Sequence, residues 1–179
     1  INKGKLKKIK LSKIIIISRK KKNIKSKIKI SYIRDNIAAI KKIPITDYII
    51  YAANSAINSE NIKGINNFKK LLNNKHKHTK ILFTSSGAVY GKRNFKKKFK
   101  ENDSINFKSI SKFKGYKKGY ARSKIIIENE FKKLGKKGFN VSIARLFSFI
   151  GRRILINNDF AVTNLINQAK SSNKKHLLL

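Results

Sequence analysis

The sequence predicts an α/β protein built on a doubly wound parallel sheet with helices on both faces. Three observations carry that expectation. Short β-branched runs recur along the chain, stretches with helical spacing of apolar residues lie between them, and the runs are nearly continuous in apolar character. Strands buried on both faces of a parallel sheet have that character, and strand–helix alternation builds such a sheet.

In chain order, residues 1–13 (INKGKLKKIKLSK) read as the tail of a helix running into a strand. Residues 13–18 (KIIIIS), 28–33 (IKISYI) and 48–53 (YIIYAA) read as strands because β-branched and aromatic residues dominate them. A helix follows at 61–72, where Ile62, Ile65, Phe68, Leu71 and Leu72 recur at helical spacing. The strand 80–84 (KILFT) leads into LFTSSGAVYG at 82–91, an apolar run that stops at three hydroxyl residues, turns, and resumes. Residues 92–111 are polar and without clear period, and read as an excursion loop. A second helix at 116–134 carries Tyr120, Ile127, Phe131 and Leu134 on one face. Gly135 and Gly138 close it before the strand 139–145 (FNVSIAR).

At 179 residues and 40% hydrophobic composition the chain is long enough for a packed core. It contains no cysteine, which excludes disulfides and thiolate chemistry and suits a reducing compartment, so the expected location is cytoplasmic. The apolar runs are too short to cross a bilayer, and residues 1–13 lack a secretory cleavage pattern. Lys and Arg number 45 against 8 Asp and Glu, a formal charge of +37. Such a balance raises nucleic acid as a partner. Yet 38 Lys, 30 Ile and 20 Asn make up nearly half the chain, all with A/T-rich codons, while Pro occurs once. The lysines are spread through every segment rather than forming one arm or stripe, so base composition explains them better than a nucleic-acid face.

Chemistry concentrates in Tyr120-Ala121-Arg122-Ser123-Lys124. On a helix this spacing places phenol and ammonium on one face, and an ammonium beside a phenol favours the phenolate. Such a tyrosine acts as general acid or base on a substrate hydroxyl. With 6 Tyr and 38 Lys in the chain, about one such match is expected by chance, so the spacing alone carries little.

The ordered context carries more. Asp47-Tyr48-Ile49-Ile50-Tyr51-Ala52-Ala53, Asn61-Ile62-Lys63-Gly64-Ile65-Asn66-Asn67, Thr84-Ser85-Ser86-Gly87-Ala88-Val89-Tyr90-Gly91, Tyr120 to Lys124 with Glu128 one turn later, Ala144-Arg145-Leu146-Phe147-Ser148-Phe149-Ile150-Gly151, and Phe160 to Ile166 follow one another. Together they resemble the NAD-dependent epimerase/dehydratase family, the extended short-chain dehydrogenases that modify nucleotide sugars. The resemblance covers roughly residues 13–170. It implies an NAD(P)-binding, Rossmann-like domain over 1–155 and the start of a substrate-binding region over 156–179. No G-x-x-G-x-x-G occurs, so the chain is expected to be a fragment lacking the Gly-rich loop and most of the substrate domain.

By position, the resemblance makes Ser86 the catalytic hydroxyl and a substrate contact, Tyr120 the acid/base and Lys124 its partner. Tyr120 and Lys124 also meet the cofactor, Asp35 and Asn36 lie at the adenine, Ala52 and Ala53 line the cofactor, and Asn164 faces the nucleotide sugar. The implied function is a nucleotide-sugar oxidoreductase, foremost a sugar epimerase working by Tyr-assisted hydride transfer at C4 in polysaccharide biosynthesis. A 4-keto-sugar reductase and a non-catalytic nucleotide-binding relative are the alternatives, with a basic nucleic-acid binder last.

Departures from the family pattern narrow the reading. Gly87 and Ala88 stand where dehydratases and decarboxylases carry a carboxyl group, which argues against 4,6-elimination. Ser18-Arg19-Lys20 replaces the usual acidic residue after the second strand, so NADP is the alternative to NAD. Ser148 and Ile150 replace the usual Asn and Tyr. His76 and His78 have metal-like spacing but sit in a polar loop without carboxylates and read as surface residues, so no metal is expected. Asn66 and Asn67 read equally as backbone-satisfying residues and as support for the site. A homodimer is a compatible assembly.

Overall fold

In a computed structural model of the chain, the structure describes residues 5–6, 9–21, 23–55, 57–92, 98–105, 107–147, 165–166 and 169. It divides into two compact units, Ile1–Arg145 and Leu146–Leu179. In the second unit Leu165 and Ile166 are helical and exposed; the first holds the sheets and the core.

β1 (Lys5–Leu6) and β2 (Ile9–Lys10) pair antiparallel, with Leu6 opposite Ile9. This corrects the helix expected there. Lysine alternating with apolar residues has the two-residue period of a strand. β3 (Lys13–Ile17) runs parallel to β4 (Lys29–Ile33), pairing Ile14 with Ile30 and Ile16 with Tyr32. β5 (Tyr48–Tyr51) runs parallel to β6 (Lys80–Ser86), and β7 (Asn140–Leu146) lies on the other side of β6. Among the described strands, β3 pairs only with β4 and β5 only with β6.

α1 (Asn58–Leu71) connects β5 to β6, and α3 (Tyr116–Lys136) connects the excursion after β6 to β7. The two helices pack on each other, and their inner faces meet the strands in one core of Ile43, Tyr51, Ile65, Phe68, Ile81, Phe83, Ile127, Phe131 and Leu134. Phe131 stacks on Phe83 at 4.8 Å and meets Tyr51 edge-on at 5.3 Å, while Tyr51 meets Phe68 at 5.0 Å. Burying side chains of this size contributes about 1.5–3 kcal/mol each, so the aromatic quartet is a large part of the apolar stabilisation here. Gly64 is what lets α1 come so near, since a Cβ there would stand 2.9 Å from Ile37 Cγ2 and 3.2 Å from Tyr51 Oη. The opposite face of β5 is not covered as the apolar run predicts: Ile50 is 67% exposed, because no described element packs over it.

Within the excursion, the described residues 107–111 are helical where a loop is expected. They form α2 (Phe107–Ser111), whose Ile110 is buried with Val89, Tyr90, Ala121 and Ile125 in a second apolar cluster. Gly91 makes the sharp departure from the strand, with φ +74° and Ser109 packed where a Cβ would lie. α3 also runs past its expected end, so Gly135 lies inside it and only Gly138 lies beyond it.

His76 is the clearest local correction. It was expected on the surface, yet it is 1% exposed, whereas His78 is exposed. Asn73 N–H donates to His76 Nδ1 at 3.2 Å, and His76 Nε2 lies 3.3 Å from the Ile43 carbonyl, the tautomer in which Nε2–H donates. The ring therefore pins the turn before β6 to the connection before β5. Asn67 does a similar job: its Nδ2 donates to the carbonyls of Ile37 and Ile40, both at 2.9 Å, satisfying backbone after β4. His76→Ala is expected to lower unfolding free energy by about 2–3 kcal/mol, from two lost hydrogen bonds and an orphaned carbonyl. His78→Ala is expected to change it by less than about 0.5 kcal/mol, both read by urea denaturation.

Candidate functional site

The site grows from the end of β6. Burial alternates along that strand, with Ile81, Phe83 and Ser85 buried and Leu82, Thr84 and Ser86 half-buried. The two-residue period sends Ser85 to the helix side and Thr84 and Ser86 to the other. Thr84 Oγ1 donates to the Tyr51 carbonyl at 3.3 Å, tying β6 to β5. Ser86 caps the 3-10 turn Gly87–Tyr90: its Oγ accepts from Ala88 N–H at 3.2 Å. The stretch that looked like a plain turn therefore fixes the position of the Ser86 hydroxyl.

α3 supplies the opposing groups. Lys124 is 4% exposed, and its ammonium donates to the Thr84 carbonyl at 3.1 Å. Its Nζ lies 5.5 Å from the Tyr120 ring centre and 5.2 Å from that of Phe83, within cation–π range. The i, i+4 spacing therefore does bring phenol and ammonium together. Burial pushes the Lys124 amine down to about 8. Tyr120 is half-buried, and Tyr116 stacks on it at 5.8 Å. Among the described residues no hydrogen bond joins Ser86 to Tyr120.

One turn beyond Lys124, Glu128 is fully buried. Ser85 Oγ donates to Glu128 Oε1 at 2.6 Å, and Arg145 from β7 forks onto it, Nε to Oε1 at 3.0 Å and Nη2 to Oε2 at 2.9 Å. Arg145 Nη1 donates further to Tyr90 Oη at 2.9 Å and to the Glu101 carbonyl at 3.2 Å, and the Glu128 carboxylate holds the guanidinium well above its ordinary range. On the α1 side, buried Asn61 bonds Ser55 in both directions and donates to Ser123 Oγ on α3 at 3.3 Å. Ser85, Glu128, Arg145, Asn61 and Ser123 were not picked out as site residues. The available signal was Glu128: a carboxylate on the apolar face between Ile127 and Phe131, in a chain with 8 acidic residues.

The cofactor-side candidates lie beyond the ends of β4 and β5. Asp35 Oδ1 accepts from Asn36 N–H at 2.7 Å and Asn36 Oδ1 from Ala38 N–H at 3.1 Å, so both side chains shape the turn after β4. Ala52 is exposed and Ala53 half-buried just past β5. Arg19, beyond β3, lies 3.9 Å from Glu60 in the first turn of α1, so the basic cluster after β3 faces a carboxylate. Asn164, Ser148 and Ile150 lie outside the described residues. Among the described residues no helix is long and apolar enough to cross a membrane, and no three metal-ligating side chains gather.

Comparison with known proteins sets this geometry in context. The sequence model of the NAD dependent epimerase/dehydratase family matches residues 14–178. No curated protein sequence matches the chain. Among solved structures, a dTDP-glucose 4,6-dehydratase from Bacillus anthracis str. Ames, in complex with NAD, is similar with a TM-score of 0.57 and 17% identity over 79% of this chain and 44% of that one. A UDP-N-acetylglucosamine 4-epimerase from Methanobrevibacter ruminantium M1, in complex with UDP-N-acetylmuramic acid, has a TM-score of 0.57 and 20% identity over 79% of this chain and 47% of its own. The chain thus spans less than half the length of each, and the likeness is one of fold: α/β and Rossmann-like.

The lowered Lys124 amine has a measurable sign. Because the folded state holds that proton less tightly than the unfolded chain, the penalty of its buried charge is full below pH about 8 and fades as pH rises towards the ordinary lysine value of 10.5. Lys124→Met is therefore expected to gain stability over the parent protein near pH 7, with the advantage shrinking between pH 8 and 10.5 in paired urea titrations. A gain independent of pH would contradict the desolvated amine.

Proposed function

The chain belongs to the NAD dependent epimerase/dehydratase family, and from that premise we propose that it serves an NAD-dependent nucleotide-sugar epimerase acting at the sugar C4. The observation that carries the reading is the Lys124 ammonium, held by the Thr84 carbonyl 5.5 Å from the Tyr120 ring and one strand residue from the Ser85–Ser86 pair.

The residues present fit the cofactor. Lys124 has three N–H donors, and its described bond to Thr84 uses one, which leaves donors for ribose hydroxyls. Ala52 and Ala53 leave the backbone past β5 open to close approach, and the turn after β4 presents Asp35 and Asn36 for the adenine end. When bound, the nicotinamide supplies the hydride acceptor and donor for C4. Tyr120 takes the C4 hydroxyl proton as the carbon is oxidised and returns it on reduction. Lys124 keeps an ammonium 5.5 Å from the ring centre meanwhile. Ser86, fixed by Ala88 N–H, orients the sugar oxygen, and Asn164 contacts the sugar nucleotide. Residues 87–90 (GAVY) carry no carboxyl group, so nothing there protonates a leaving hydroxyl, which favours epimerisation over 4,6-elimination.

Tyr120→Phe in the intact protein is expected to lower kcat by at least about 100-fold while cofactor affinity stays within about threefold, read by nucleotide-sugar interconversion and by titration with NAD. Undiminished turnover would remove Tyr120 from its role. Stoichiometric consumption of NADH or NADPH by the parent protein would replace the epimerase with a 4-keto-sugar reductase.

A further inference from the structure

α3 meets the end of β6 at two points. Thr84 and Ser85 are neighbours on the strand, and Lys124 and Glu128 are one turn apart on the helix; the carbonyl of the first holds the ammonium at 3.1 Å, and the hydroxyl of the second holds the carboxylate at 2.6 Å. One such bond is a pivot. Two, one turn apart, fix both the slide and the rotation of the helix against the strand, and so the position of Tyr120 relative to Ser86. The Glu128 end of this clamp is itself held in plane by the Arg145 fork from β7, and Arg145 in turn reaches Tyr90 Oη and the Glu101 carbonyl. Phe99 stacks on that same tyrosine at 4.7 Å, so residues 98–105 are fastened to the same hub.

Stability alone does not account for this arrangement. A fully buried carboxylate and its guanidinium lose much hydration, and apolar residues of similar volume in their place often leave a protein as stable or more so. What apolar residues cannot reproduce is the directional bond to Ser85. We infer that Glu128 and Arg145 are positioning residues for the proposed reaction, holding the residue before Ser86 in register with the helix turn after Lys124. The inference rests on the roles given above to Ser86, Tyr120 and Lys124.

The test compares Glu128→Gln, the double variant Glu128→Met/Arg145→Met, and Glu130→Gln as a control. Glu130 sits on the same helix and pairs with Lys69 and Lys133, but away from Ser85. Each is measured for melting temperature, kcat, KM, NAD affinity, and the rate at which an amine-reactive ester labels Lys124, read by mass spectrometry. Glu128→Gln is expected to lose about 10- to 100-fold in kcat with KM and NAD affinity within about threefold, since misplacement by an ångström costs rate more than binding. Lys124 is expected to label several-fold faster, with other lysines unchanged. The double variant, the one expected to fold as well as the parent, should show the same losses, and Glu130→Gln none. Parental kcat and Lys124 labelling in a folded Glu128→Gln or double variant would overturn the inference, as would a rise in KM with kcat intact. If the parent turns over no nucleotide sugar, the proposed function fails, and the labelling decides separately: faster Lys124 labelling in the folded variants supports the clamp, and an unchanged rate overturns it.

Discussion

A carboxylate without exposed surface must be met by donors on every side, and in this chain Glu128 is met by Ser85 from β6 and by a two-pronged fork from Arg145 on β7. Desolvating an unpaired carboxylate is prohibitive, so once Glu128 lies on the inner face of α3 its donors must arrive from fixed directions. That requirement joins helix, central strand, outer strand and the 3-10 turn at a single point; Ser86 lies one residue from it, Lys124 one turn and Tyr120 two turns. Lys124 obeys the same constraint with opposite charge. Its ammonium is stripped of water, rests on one carbonyl and two aromatic faces, and responds with a lowered proton affinity.

The apolar core solves a different problem, that of packing a chain whose composition is dominated by Lys, Ile and Asn. Isoleucines make the strands, but three phenylalanines and Tyr51 fill the space between helices and sheet. Asparagine, abundant and helix-indifferent, is used where backbone needs partners: Asn67 on two carbonyls after β4, Asn61 on Ser55, and Asn73 on the N–H that opens the turn before β6. A composition dominated by three residue types and a specific fold are compatible when a few aromatic, glycine and acidic side chains stand at the packed positions.

Much of this was legible in advance, and the reasons differ by element. β3, β4, β5 and β6 announce themselves because β-branched runs have few other uses, and α3 because its apolar residues keep strict helical spacing along 21 residues. Tyr120 and Lys124 share a face by helix geometry alone. The first strands were misread because Lys–apolar alternation in a short stretch fits two periods until pairing chooses one. His76 reads as a surface residue because its surroundings in sequence are polar, while the Ile43 carbonyl that meets its ring lies 33 positions away. The Glu128–Arg145 pair spans 17 positions and joins a helix to a strand, a relation that no local period encodes.

The unpaired edge of β5 and the excess charge bear on one another. Among the described strands β5 is paired only towards β6, so the backbone groups on its other edge are of the kind that pair with a further strand. Each molecule also carries a formal charge of +37, so two such edges approach only against long-range repulsion. Added salt shortens that repulsion to within about a nanometre while leaving apolar attraction intact. Charge of this size therefore opposes contact between such edges most strongly at low ionic strength.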